Sequence, residues 1–201
     1  MTSEASQRPP RAGTQLSAGL PDGVFVTDGL LTKRVHRAYA LAMLAPVAGE
    51  RLWDLGAGTG SIGIEWCRLH PTNSAVAVER NPERVERILL NAANLGVFDQ
   101  LTVVTGGISE VLDGLEGTPD AVFVGGGVEP VTLRRCWETL RPEGRLVVHS
   151  VTAESDAVLL AARAEWGGDL TRIAVEVAEP MGRLTGYRPF RSVTAWAAVK
   201  A

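Results

Sequence analysis

The sequence predicts an α/β protein built around an open, mostly parallel sheet of seven strands, with an antiparallel hairpin at its C-terminal end. Three observations predict it. Short apolar runs at 50–55, 74–79, 101–105, 120–124 and 145–149 alternate with segments of helical period. Such runs mark strands buried on both faces, and right-handed crossovers then limit the topology. The first run breaks into Gly56-Ala57-Gly58-Thr59-Gly60, a tight strand-to-helix turn. After residue 166 the alternation stops. Segments 172–179 and 192–200 read as two strands joined by a long loop, 180–191, and strands with no helix between them pair antiparallel.

Residues 1–18 are mostly small or polar with no apolar period, and are expected to form a disordered arm or linker before one domain over 19–201. Thr32 is a candidate N-cap for a helix running to about 45, before Pro46. Its expected apolar face is Val35, Tyr39 and Ala42, with Ala38 and Leu41 beside them. Lys33, Arg34 and Arg37 fall elsewhere, as a solvated helix start or as a positive rim for an acidic substrate. Further helices are expected at 61–69, at 82–95 with Pro82 in its first turn, and as a short piece near 109–112. Two more follow at 130–140, ended by Arg141-Pro142-Glu143-Gly144, and at 153–166.

A chain of 201 residues suits one full-sized domain. Its 45% hydrophobic and 21% charged content is that of an ordinary globular protein, and a net charge of −3 offers no general attraction for nucleic acid or anionic lipid. Two cysteines, Cys67 and Cys136, both in helical patterns, point to a reducing compartment. No run has the length of a membrane span and the start lacks the order of a signal peptide, so a cytoplasmic chain is expected.

Ligands of such sheets sit at the carboxyl ends of strands. There, Gly58-x-Gly60-x-x-Gly63 matches a dinucleotide fingerprint, but Asp54 two residues before Gly56 would face a pyrophosphate with a negative charge. S-adenosylmethionine carries a sulfonium and an ammonium, which a carboxylate favours. Glu79 closes the second strand, where a carboxylate can accept hydrogen bonds from ribose hydroxyls. The pair Asp54 and Glu79 therefore favours S-adenosylmethionine, and resembles the cofactor half of a class I S-adenosylmethionine-dependent methyltransferase, a Rossmann-like fold.

Other strand ends add candidates. Gly106-Gly107-Ile108 can flank an adenine ring, although Gly107 stands where many relatives have an acid that reads the adenine amino group. Gly125, Gly126 and Gly127 offer space and backbone N–H groups to a bulky substrate. His149 could serve as a general base near the transferred methyl, and no other catalytic residue declares itself. His36 and His70 lack neighbours at ligand spacing, so no metal site is expected. The loop holding Arg183, Tyr187 and Arg188 combines guanidinium groups with aromatic faces, which suits a flat polycarboxylate and equally a single-stranded nucleic acid.

Leu20-Pro21-Asp22 with Phe25, Thr32-Lys33 opening a helix, Arg37, Asp54-Leu55-Gly56-Ala57-Gly58-Thr59-Gly60, Glu79-Arg80-Asn81-Pro82 and Val124-Gly125-Gly126 together resemble the precorrin methyltransferases of cobalamin biosynthesis, over about residues 19–200. Those enzymes methylate carbon 15 of the macrocycle and decarboxylate the ring C acetate. The resemblance implies cofactor contacts at Thr32, at Gly56, Ala57, Gly58, Thr59 and Gly60, at Glu79 and at Ile108. It also implies a polycarboxylated tetrapyrrole substrate, for which Lys33, Arg183 and Arg188 are candidate partners, and no nucleic acid or membrane partner. A homotetramer and a fused or separate domain methylating carbon 5 are further implications. Three rivals remain: an RNA or protein methyltransferase, a non-catalytic S-adenosylmethionine-binding assembly domain, and a nicotinamide-dependent oxidoreductase.

Overall fold

Strands β1 (Arg51–Leu55), β2 (Ser74–Glu79), β3 (Leu101–Thr105), β4 (Ala121–Val124) and β5 (Arg145–Ser150) run parallel in a computed structural model that describes residues 17–201. Most of the expected arm at 1–18 lies outside the described residues. From β1 the chain steps outward to β2 and β3, then crosses back to β4 and β5 on the other side. That reversal opens a crevice above the carboxyl ends of β1 and β4, the place where such sheets bind ligands.

Helices α1 (Arg34–Leu44), α2 (Ser61–Leu69) and α3 (Pro82–Asn94) bury one core with Leu41, Leu44, Ile64, Trp66 and Ile88. A short α4 (Ile108–Val111), with α5 (Pro130–Thr139) and α6 (Ala153–Trp166), borders a second core around Trp53, Leu133, Leu159 and Trp196. Local chemistry sets the helix starts. Asn81 accepts the N–H of Glu83 at 2.9 Å ahead of Pro82, and Thr152 accepts that of Ser155 at 3.2 Å. Among the described residues, no helix is long and apolar enough to cross a membrane.

Two expectations need correction. Helix α1 is capped at Lys33 rather than Thr32, without a side-chain cap, and its buried face is His36, Arg37, Ala40, Leu41 and Leu44. Val35 is 48% exposed. The expected stripe has the right spacing but is rotated by about one residue. Arg37, read as a solvent or rim cation, is fully buried on that face. Its Nε donates to Glu65 at 2.6 Å, one terminal nitrogen donates to Asp22 at 2.8 Å and to the Thr32 carbonyl, and the other donates to the Leu20 carbonyl. Its guanidinium also lies 4.9 Å from the Phe25 ring centre. Glu65 accepts the N–H groups of Gly19 and Leu20 as well, so this ion pair ties the segment before α1 to α2.

The second correction concerns the C-terminal region. The expected strand 172–179 is two strands, β6 (Asp169–Ile173) and β7 (Glu176–Met181), and the expected loop is largely β8 (Leu184–Pro189). Strand β9 (Val193–Val199) enters between β5 and β6, antiparallel to both, completing seven strands in the order β3-β2-β1-β4-β5-β9-β6. β7 and β8 pair only with each other, and most of their residues face solvent. The residues of β8 carry no regular apolar alternation, so periodicity does not reveal it.

Candidate active site

The crevice floor is the turn after β1. Gly56, Gly58 and Gly60 have φ of 74°, 61° and 74°, the left-handed region that glycine enters at little cost. The N–H groups of Gly56 and Ala57 both donate to the Val78 carbonyl at 2.9 Å, fastening the turn to β2. Gly60 is also sterically required, because a Cβ there would lie 2.8 Å from the Ile88 side chain.

Two carboxylates hold this turn. Glu79 accepts the N–H of Gly58 at 2.9 Å through Oε2 and that of Asn81 at 3.0 Å through Oε1, so it lies at the turn's open side. Asp54 lies behind it, 1% exposed, accepting the Gly63 N–H at 2.9 Å through Oδ2 while buried Oδ1 has no hydrogen-bond partner. Burial pushes the Asp54 carboxyl up to about 7, against the Gly63 N–H, and the charge of Glu79 adds to the rise.

That shift has a sign. The folded chain keeps the Asp54 proton to higher pH than the unfolded chain, so the stability it contributes is present below about pH 4 and is lost as pH rises through about 7. His149 acts in the opposite sense. Its imidazole is pushed down to about 4 by burial and by nearby His36, so its contribution is present above about 6.5 and is lost as pH falls through 4. Asp54→Asn is expected to flatten the decline in stability of the cofactor-free chain between about pH 6.5 and pH 7.5, read from urea midpoints. An unchanged slope would mean that Asp54 is already ionised in the fold.

Two clefts meet over the turn and share Gly56, Glu79, Arg84 and Gly125. The first, about 580 Å³, is lined by Glu79, Gly107, Ile108 and Glu110, and by Gly126 and Gly127. The second, about 640 Å³, is bounded by Thr32, Lys33, Ala57, Gly58, Thr59 and His149, and by Arg188, Phe190 and Arg191 at the foot of the β7–β8 arm. Gly125 separates them, and a Cβ there would come 2.8 Å from the Gly56 carbonyl oxygen, so only glycine lets the two loops touch.

Most sequence-derived candidates therefore meet at one crevice, but four do not line it. Asp54 and Gly60 support the turn from behind, and Arg183 and Tyr187 lie on the exposed arm. Arg188 lines the second cleft, pairs with Glu179 at 2.6 Å and lies 5.6 Å from the Phe190 ring centre. His149 is 4% exposed, edge-on to Phe123 at 5.1 Å, and its Nε2 has no hydrogen-bond partner. His36 lies against the same cleft with its own Nε2 unpartnered. Among the described residues, no group of three His, Cys, Asp or Glu could hold a metal. Sequence reasoning missed His36, Arg84 and Glu110 as wall residues. The last two each sit three residues after a helix N-cap, Asn81 and Gly107, in the first turn of a helix whose start faces the strand ends.

Comparison with known proteins adds to this geometry. Residues 23–200 match the family model described as precorrin methyltransferase domain. A precorrin-6Y C(5,15)-methyltransferase [decarboxylating] from Sinorhizobium sp is 47% identical over 186 residues, which are 92% of this chain and 45% of that protein. The chain thus spans under half the length of that relative. A Pyrobaculum calidifontis protein named "Probable cobalt-precorrin-6B C(15)-methyltransferase (decarboxylating)" is 34% identical over 89% of this chain and 96% of its own length. Among solved structures, the C-terminal domain of precorrin-6Y C5,15-methyltransferase from Rhodobacter capsulatus is similar, with a TM-score of 0.87 and 38% identity over 92% of this chain and all of that one. The fold is that of the class I methyltransferases.

Proposed function

The chain belongs to the precorrin methyltransferase domain family, and from that premise we propose that it methylates carbon 15 of a precorrin macrocycle with S-adenosylmethionine and decarboxylates the ring C acetate, in cobalamin biosynthesis. One observation carries the proposal: the two clefts share Glu79 and Arg84 but differ in their balance of charge. On the first side Glu79, Glu110 and Glu129 outnumber Arg80 and Arg84 beside a glycine-rich wall, an acidic excess that suits a cofactor that is cationic and carries no phosphate. On the second, Lys33, Arg188 and Arg191 surround a space large enough for part of a flat polycarboxylate, with Phe190 beside them. Among the described residues, Lys33 and Arg191 take part in no ion pair, so their charges are available to substrate carboxylates.

The proposed cofactor contacts are Thr32, the turn from Gly56 to Gly60, Glu79, Gly107 and Ile108, with Asp54 acting through the turn. When bound, S-adenosylmethionine supplies an electrophilic methyl group. The protein's share is positioning and exclusion of water. Carbon 15 of a reduced tetrapyrrole is enamine-like and already nucleophilic, so Lys33, Arg188 and Arg191 need only hold the macrocycle in line, over the open Gly125 to Gly127 stretch. Loss of carbon dioxide breaks the bond between the acetate methylene and its carboxyl carbon. The electron pair passes into the conjugated macrocycle and a proton completes the new methyl group. His149, which lines this space and is neutral at pH 7, is the candidate to hold a proton there rather than to fix a carboxylate by charge.

Three further parts of the proposal have separate supports. A homo-oligomer, a tetramer by resemblance, is supported by exposed Met181, Leu184 and Tyr187 on the β7–β8 arm, and sedimentation measures it. A partner domain methylating carbon 5 is supported by the share of the Sinorhizobium relative that this chain leaves unmatched. A cytoplasmic location is supported by two buried, unbridged cysteines.

Calorimetric titration with S-adenosylhomocysteine and with NADH tests the cofactor. The first should bind with micromolar affinity and the second should not. Incubation with a precorrin substrate, followed by mass spectrometry, should then show methyl gain and carbon dioxide loss. Tight NADH binding without S-adenosylhomocysteine binding would restore the oxidoreductase rival.

A further inference from the structure

Gly107 leaves a recognition problem, because no side chain at that strand end can meet the amino edge of a purine. The structure fills the gap from three residues downstream. Glu110 Oε2 accepts the Gly107 N–H at 3.0 Å, folding the Glu110 side chain back into the first cleft. A Cβ built on Gly107 would lie 3.2 Å from both the carboxyl carbon and Oε2 of Glu110, and 3.5 Å from Oε1. A side chain at 107 would thus crowd the Glu110 carboxylate, which lies against the space beside the Gly107 backbone. Only Oε2 is engaged. Among the described residues, Oε1 accepts no hydrogen bond.

The surroundings indicate what Oε1 faces. Glu79, the ribose candidate, lines this cleft together with Glu110 and Ile108. The Ile108 side chain reaches across towards Gly56, where it would pass 3.8 Å from a Cβ, making an apolar wall for a flat ring. The cleft's cations lie towards Glu79, and Arg84 is paired with Asp28 at 2.8 Å. A purine whose sugar is held at Glu79 therefore extends along Ile108 and presents its far edge to a carboxylate. Carboxylates accept well from exocyclic amino groups and repel a carbonyl.

We infer that Glu110 is the residue that reads the adenine of the cofactor, Oε1 accepting from its exocyclic amino group while Oε2 stays on the Gly107 N–H. This rests on the S-adenosylmethionine reading above. It assigns base specificity to a residue outside the usual strand-end position.

The test is calorimetry on the full chain with two ligands, S-adenosylhomocysteine and its analogue in which purine without the amino group replaces adenine. Wild type should prefer the amino form by about tenfold, the scale of one charge-assisted hydrogen bond. Glu110→Ala should lose most of that preference by binding the amino form more weakly while holding the analogue unchanged. Glu110→Gln, which retains a neutral acceptor and the contact to Gly107, should fall between. A role limited to bracing the short helix α4 would weaken both ligands equally, so a wild-type preference ratio in Glu110→Ala overturns the inference. Should that variant fail to fold, a wild-type ratio in Glu110→Gln overturns it instead. If wild type binds both ligands equally, the inference fails and the cofactor reading stands. If it binds neither, both fall.

Discussion

Glu79→Ala is expected to weaken S-adenosylhomocysteine binding by at least about tenfold, or about 1.4 kcal/mol. Two losses combine. The carboxylate that would accept from the ribose hydroxyls disappears, and the N–H groups of Gly58 and Asn81, held at 2.9 Å and 3.0 Å, lose their acceptor. The second loss matters because Gly58 belongs to the turn on which the cofactor should lie, and a turn freed at one bond must be reordered on binding. Glu79→Gln keeps oxygen on only one arm of the side chain and should recover part of the affinity. Calorimetry at fixed pH, with a melting curve for each variant, separates lost contact from lost fold. Affinity unchanged in Glu79→Ala would remove Glu79 from the site and would take the main support from the S-adenosylmethionine reading.

Arg37→Met is expected to cost roughly 3–5 kcal/mol of stability, the usual penalty for breaking a buried ion pair from one side. Methionine keeps much of the volume and removes every donor. Glu65, 2% exposed, would then hold a charge with no cation beside it, keeping only the N–H groups of Gly19 and Leu20. The Leu20 carbonyl would lose the donor that Arg37 supplies, and the Thr32 carbonyl and Asp22 would lose the same group. For a domain of this size the melting temperature should fall by on the order of 10 °C. Adding Glu65→Gln to Arg37→Met should restore part of the loss, because the second change removes the stranded charge. A single-variant loss below about 1 kcal/mol would mean that the network contributes little and that α1 is held by its apolar face and by the bonds of Tyr39 to Thr171 and of Arg145 to the Leu44 carbonyl. Because Thr32 and Lys33 precede this helix and line the second cleft, the same network positions part of the proposed site.

Much of the architecture follows from local signals. Strands β1 to β5 are nearly continuous apolar runs, and a parallel sheet covered on both faces produces that pattern without reference to its neighbours. The turn from Gly56 to Gly60 was legible because its backbone has conformations and close approaches that select glycine. Pro82 was legible as a first-turn residue for the same kind of reason, a fixed φ acting locally. The family resemblance drew on these positions too.

What the sequence by itself determined, then, is the class of sheet, the carboxyl ends where the crevice opens, and the Glu79 carboxylate beside a glycine turn. Tertiary structure alone decided the rest. It placed β9 between β5 and β6, and it turned Arg37 inward onto Glu65. It brought Arg188 and Arg191 to the cleft while leaving Arg183 on the outer arm, and it put the Glu110 carboxylate beside the Gly107 backbone. The physical reason is range. Backbone conformation and burial repeat with the period of the element that carries them, so one segment is enough to show them. A buried charge is tolerated only where a distant segment supplies its partner, and a carboxylate reads a base only where folding leaves it room, so neither has a period to find.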